Sequence, residues 1–83
     1  MDDIYYVYVI RSRVDKRLYV GISKNIEKRF KEHNSGSVFS TKGYRPWKIV
    51  YDEKAGDRKT ARKREKYLKS GCGKEFLKSI IPQ

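Results

Sequence analysis

Tyr8, Tyr19, Arg29 and His33 are the residues of this chain whose types and spacing can do chemistry together. A guanidinium stays charged and grips a phosphate through two parallel N–H donors. A phenol or an imidazole beside it can orient or deprotonate a water. Arg29 and His33 recur with Ile26 and Phe30 at i, i+3, i+4 and i+7, so two polar groups sit on the apolar stripe of one helix. Two tyrosines stand on short strands just ahead of that helix. Their convergence points to a phosphodiester site. Plainer roles stand beside each: core packing for the tyrosines, a structural histidine for His33, and a pair with Glu32 for Arg29.

The elements that must position these groups can be read from the pattern. Residues 4–10 are rich in Val, Ile and Tyr and predict a strand. Its alternation puts Tyr6, Tyr8 and Ile10 on one face and Tyr5, Val7 and Val9 on the other. Both faces are apolar, so the strand is expected to be covered on both sides. Residues 11–17 are polar and form a turn around Asp15-Lys16, and residues 18–22 form a second strand. So short a connection makes the pair an antiparallel hairpin.

Asn25 is the expected N-cap of a helix that runs to about residue 33 or 34 and stops before Gly36. Residues 35–46 read as a long, mobile loop, a length that in a small domain is often functional. A third strand is expected over 47–53, a helix over 57–70 stopped by Gly71 and Gly73, and a last helix over 74–81 ended by Pro82. Ala61 and Leu68 give the 57–70 helix its core face, with Glu65 between them. The fold class is therefore α+β, a three-stranded antiparallel sheet flanked by helices in the order β-β-α-β-α-α. At 83 residues the expectation is one domain, 1–83, with a thin core.

Lys and Arg total 21 against 10 Asp and Glu, a net charge of +11. So large an excess favours a polyanionic partner, with nucleic acid first. No basic helix has the clean apolar face that a membrane surface wants. No apolar run reaches the roughly 18 residues that a membrane span needs. The acidic start Met1-Asp2-Asp3 does not read as a signal peptide, and Cys72 is the single cysteine, so a reducing cytoplasmic setting is expected. One Cys and one His do not make the usual structural zinc site.

Tyr6-Val7-Tyr8, Tyr19-Val20-Gly21, Arg29, His33 and Glu65, in this order and spacing, resemble the GIY-YIG nuclease domain of the small stand-alone bacterial type. The resemblance covers nearly the whole chain. Two departures stand out. Tyr6 replaces the glycine of the first half-motif, and Ile22 stands where excision-repair relatives carry a lysine, with Lys24 two positions on. The resemblance implies hydrolysis of a DNA phosphodiester with one divalent cation, Mg²⁺ or Mn²⁺. It assigns Glu65 as the metal ligand, although spacing alone equally fits an i, i+4 pair with Lys69. It assigns Tyr8 as general base or water-orienting group, Tyr19 as a partner of the phosphate or the metal-bound water, and Arg29 as the phosphate grip. His33 enters as a second proton acceptor or phosphate ligand.

Lys24, Arg29, Lys42, Arg45, Arg58 and Arg62 are the expected nucleic-acid contacts, with Tyr44 available to stack on a base. The expected function is a metal-dependent endonuclease acting on DNA in repair, recombination or branched-DNA processing, with RNA as a further possible substrate. The alternatives are a non-catalytic nucleic-acid-binding module, or a scaffold whose protein partner supplies specificity.

Overall fold

The computed structural model describes residues 3–81. The chain forms β1 (Tyr5–Ser12), β2 (Leu18–Ser23), α1 (Ile26–Ser35), a 3₁₀ turn (Lys42–Tyr44), β3 (Trp47–Gly56), α2 (Arg58–Lys69) and α3 (Gly71–Ile80). The three strands make one antiparallel sheet in the order β2-β1-β3. This is the expected α+β class with the expected order of elements.

β1 takes the centre because it is apolar on both faces: Val7, Tyr8, Val9 and Ile10 are all buried. The alternation read from the sequence sorts them into two clusters. Val7 and Val9 join Val20, Ala61, Leu68 and Leu77 under α2 and α3. Tyr8 and Ile10 join Trp47, with Tyr19, Ile26 and Phe30 packed against them on the α1 side. The sheet is thus a partition with a helical layer on each face.

The strands run further than their apolar cores. β1 continues through Arg11 and Ser12, pairing with Lys48 and Trp47 of β3, and β3 continues to Gly56, which pairs with Tyr5. Once a central strand supplies partners, the ladder carries polar residues along with it. The turn shortens to residues 13–17, held by the buried Ser12 hydroxyl. That oxygen accepts from the Val14 amide (3.0 Å) and donates to the Tyr44 carbonyl (2.7 Å).

α1 starts and stops where capping chemistry requires. The Asn25 side chain accepts from the Lys28 amide (3.1 Å), and Gly36 closes the helix at φ 89, in the left-handed region. At the other end of the chain, Gly71 and Gly73 do not stop α2; both lie inside α3. Ser70 makes the corner instead, its hydroxyl accepting from the Gly73 amide (3.3 Å) and donating to the Tyr67 carbonyl. The expected helix end at Pro82 lies outside the described residues. The 35–46 stretch, expected as a plain loop, contains the 3₁₀ turn and is tied down: the Trp47 indole donates to the Thr41 carbonyl (2.9 Å), and the Asn34 amide bonds both backbone groups of Trp47 (2.6 and 3.2 Å).

No helix among the described residues is long and apolar enough to cross a membrane.

Candidate active site

Tyr8 lies opposite Gly21 in the β1–β2 ladder. A Cβ on Gly21 would sit 2.6 Å from the Tyr8 hydroxyl and 3.1 Å from Cε1 of Tyr19. The glycine is therefore the gap through which the Tyr8 ring crosses the neighbouring strand, and the second half-motif works by leaving a side chain out. A methyl there has to push a buried, hydrogen-bonded ring aside. Gly21→Ala should cost about 1–3 kcal/mol in denaturant unfolding, and the imidazole NMR signals of His33 should move with the displaced phenol.

The Tyr8 hydroxyl is 2.8 Å from Nε2 of His33, and Nδ1 of His33 is 2.8 Å from the Thr41 hydroxyl. The Thr41 hydroxyl also lies 3.4 Å from the Val38 carbonyl. That carbonyl can only accept, which orients the whole chain. Thr41 donates to Val38, so it accepts from Nδ1–H; Nε2 is then bare and accepts from the phenol. The polar groups on the α1 stripe are thus fully partnered, and among the described residues no buried side-chain polar atom lacks a partner.

Burial drives His33 down to about 4, with the Arg29 charge adding to the shift and Glu32 opposing it. The imidazole is neutral at neutral pH, as the hydrogen-bond order requires. Stability follows from the sign. Between about pH 6.5 and 4 the unfolded chain binds a proton that the fold refuses, so stability is complete above 6.5 and falls as pH drops through that window. The full effect is about 3 kcal/mol. Urea unfolding of the wild type should show this acid slope, and His33→Gln should flatten it.

Burial pushes the Tyr8 phenol up to about 12, with the neighbouring Tyr19 phenol and the Glu65 carboxylate adding, while the Arg29 guanidinium lowers it through a hydrogen bond and its charge. Arg29 also pairs with Glu32 at 3.2 Å on the same helix and is about 39% exposed. Burial alone would lower the Arg29 pKa, but its bonds to Glu32 and Tyr8 outweigh this and raise it. Tyr19 closes the cluster, its ring 4.9 Å from the His33 ring and 6.5 Å from that of Tyr8.

Glu65 enters from the other side of the partition. Its carboxylate is 16% exposed, has Lys69 at 3.5 Å, and bears electrostatically on Tyr8. Its neighbour Arg64 anchors the helix: Nε donates to Glu53 on β3 (2.9 Å), and the same carboxylate oxygen accepts from the Tyr51 hydroxyl (2.9 Å). Thus Tyr8, Tyr19, Arg29 and His33 are in one contact network, and Glu65 is near enough to bear electrostatically on Tyr8. Both plainer pairs weighed from the sequence, Arg29 with Glu32 and Glu65 with Lys69, are also formed.

The outer cations are more scattered. Lys24 pairs with Asp3 at 3.1 Å, and Arg58 is near enough to oppose its charge. Arg62 is exposed on α2. Lys42 stands over the Phe39 ring, and Arg45 lies against Gly36 while donating to the Lys42 carbonyl (2.8 Å). Tyr44 is half-buried, with the Arg17 guanidinium 3.6 Å over its ring. Sequence reasoning passed over Thr41 and Asn34. A lone histidine on a buried stripe needs a partner on each nitrogen, and that need was the available signal for a loop hydroxyl such as Thr41.

A family model described as the GIY-YIG catalytic domain matches residues 4–76. The chain belongs to the GIY-YIG family. It is similar to a UPF0213 protein of Clostridium perfringens, 42% identical over 76 residues that cover 90% of this chain and 81% of that protein. A UPF0213 protein of Staphylococcus saprophyticus is 38% identical over 79 residues, covering 94% of this chain and 95% of its own. One from Haloquadratum walsbyi is 37% identical over 71 residues, covering 84% and 79%. GIY-YIG membership places the chain in a nuclease superfamily whose members act on nucleic acid, generally with a divalent metal.

The donor set fits such an ion. Among the described residues no three or more His, Cys, Asp or Glu gather, but Mg²⁺ keeps most of its waters and takes only one or two carboxylates. Glu65 is mostly buried, and its one close cation, Lys69, stands at the long end of ion-pair distance.

Proposed function

We propose that this protein is a divalent-cation-dependent endonuclease that hydrolyses DNA phosphodiester bonds in repair, recombination or branched-DNA processing. The observation that carries the reading is the contact network of Tyr8, Tyr19, Arg29 and His33 around the gap at Gly21, with the Glu65 carboxylate near enough to bear electrostatically on Tyr8. Glu65 would hold Mg²⁺ or Mn²⁺, which supplies charge stabilisation at the phosphoryl and leaving oxygens.

Arg29, at the rim of the cluster, turns from Glu32 to the non-bridging oxygens of the scissile phosphate. A phenol held near 12 is a poor free base. His33 does not take the water's proton either, because burial and the Arg29 charge disfavour its imidazolium. Tyr8 instead orients the attacking water, its own hydroxyl donating to Nε2 of His33, and Thr41 keeps Nε2 bare to hold the phenol in place. That water, its pKa lowered when a divalent cation is bound, gives its proton to solvent. Tyr19 walls the site and bonds the phosphate.

Two adjoining cavities favour a polyanion. One of about 610 Å³ is lined by Arg11, Arg13, Lys16, Lys48 and Lys78, and another of about 500 Å³ by Lys69, Lys74 and Lys78. They share Leu18, Leu77 and Lys78, no Asp or Glu among the described residues lines either, and the second reaches Tyr19. These cations are largely not those singled out from the sequence, which are Lys24 ahead of α1, Arg29 on α1, Arg58 and Arg62 on α2, and Lys42 and Arg45 in the 35–46 stretch. The basic cavities support a cytoplasmic protein, nucleoid-associated if bacterial.

Supercoiled and branched DNA incubated with Mg²⁺ or Mn²⁺ should be nicked, and chelator should abolish it. Arg29→Ala should lower the rate by on the order of 10². Binding that persists with no cutting in either metal would instead identify a nucleic-acid-binding module.

A further inference from the structure

Phe39 is 84% exposed, more than any other large apolar side chain among the described residues. The turn that carries it is firmly closed. The Val38 carbonyl accepts from the Thr41 amide (3.1 Å) and the Lys42 amide (3.0 Å), leaving Phe39 and Ser40 at the apex. Thr41 is then fixed twice more, by the Trp47 indole on its carbonyl and by His33 on its hydroxyl. The exposed ring is therefore mounted on the same turn that sets the histidine, at most about 7.6 Å from Thr41 in Cα steps.

Its surroundings are cationic. The Lys42 ammonium lies 4.9 Å from the ring centroid. Between Glu32 and Asp52 the sequence has no carboxylate and three cations, Lys42, Arg45 and Lys48. An apolar ring carried into water on a hydrogen-bonded turn, with an ammonium beside it, suits a flat apolar group attached to phosphates.

We propose that Phe39 is a stacking platform for an unpaired nucleobase of the DNA, next to the phosphate held in the site. The proposal rests on the nuclease reading above. A base inside a continuous duplex has both faces covered by its neighbours. A base at a gap, flap or branch has a free face, and stacking on it is indifferent to sequence. Lys42 takes the adjoining phosphate. Tyr44, the aromatic that the sequence suggested for this task, is half-buried with the Arg17 guanidinium 3.6 Å from its ring centroid, whereas the Phe39 ring is 84% exposed with Lys42 farther off at 4.9 Å. Phe39 thereby gives this domain a preference for interrupted DNA.

The test is binding in chelator, so that no cleavage intervenes. Two labelled probes are titrated by fluorescence anisotropy: a duplex with a short single-stranded gap, and the same duplex without it. Wild type should prefer the gapped probe. Phe39→Ala should weaken gapped-DNA binding by about tenfold and leave duplex binding within about twofold. Phe39→Trp should restore the preference, and Phe39→Leu, apolar but without a ring face, should not. Thermal melts should show all three variants folded, since the ring makes no core contact.

Equal losses on both probes, a Leu variant that matches wild type, or an unchanged Ala variant each overturn the stacking role while leaving the nuclease reading in place. So does a concentration-dependent dimer in the ultracentrifuge that Phe39→Ala dissolves, which would make the ring a contact between two copies. If neither probe binds at all, the nucleic-acid reading itself fails and this inference falls with it.

Discussion

Glu65→Gln should lower the rate of plasmid nicking by on the order of a hundredfold or more, while DNA binding in chelator should be unchanged. The amide keeps the size and shape of the carboxylate but loses the charge that a hard cation needs. Little else depends on that charge. Its partner Lys69 is 55% exposed, so the pair is worth at most a few tenths of a kcal/mol. α2 is held by Ala61 and Leu68 in the core and by Arg64 on Glu53, none of which the change touches. Melting should therefore be unaltered, and a loss of rate is a loss of chemistry. Excess Mn²⁺ should recover part of the rate, since a neutral oxygen still offers a weak ligand. Nicking that continues undiminished in Glu65→Gln would remove this residue from the reaction, and the proposed single-carboxylate site with it.

The arrangement of strands and helices was legible because this small sheet is covered on both faces. β1 had to be apolar on both sides, and its alternation already separated Tyr8 from Val7 and Val9. The helix stripe placed Arg29 and His33 inward for the same reason: a face that carries Ile26 and Phe30 has one direction to point. What the sequence hid were contacts between residues far apart in the chain. Thr41 is eight positions from His33 in a stretch without periodicity, and nothing local marks which hydroxyl will reach the imidazole. The same holds for Asn34 on Trp47, and for the cationic cavities that bring Arg11 and Lys16 beside Lys78. The misreading at residues 70–73 had another cause. Two glycines after a basic helix look like a stop signal, but one residue, Ser70, ends α2 and starts α3, and a glycine there was needed for space.

That need for space makes Gly73→Ala the most damaging of the glycine-to-alanine changes. A Cβ at Gly73 would stand 2.0 Å from the Tyr67 carbonyl oxygen and 2.4 Å from Cα of Leu68. Both are backbone atoms at the α2–α3 corner, so no side-chain rotation relieves the clash. The helices must separate, and with them go the buried Leu68 and Leu77 that join the corner to the sheet. The expected cost is about 3 kcal/mol or more, a large share of the roughly 5 kcal/mol that a domain of this size holds. Thermal melting by circular dichroism should fall by on the order of 15 °C or show no cooperative transition. Gly71→Ala is the internal control. It lies in the same helix with nothing within 4 Å of its would-be Cβ, and replacing glycine by the best helix former should raise stability by up to about 1 kcal/mol. Opposite signs two residues apart separate close packing from helix propensity; equal effects at the two positions would mean that α3 does not press against α2 as described.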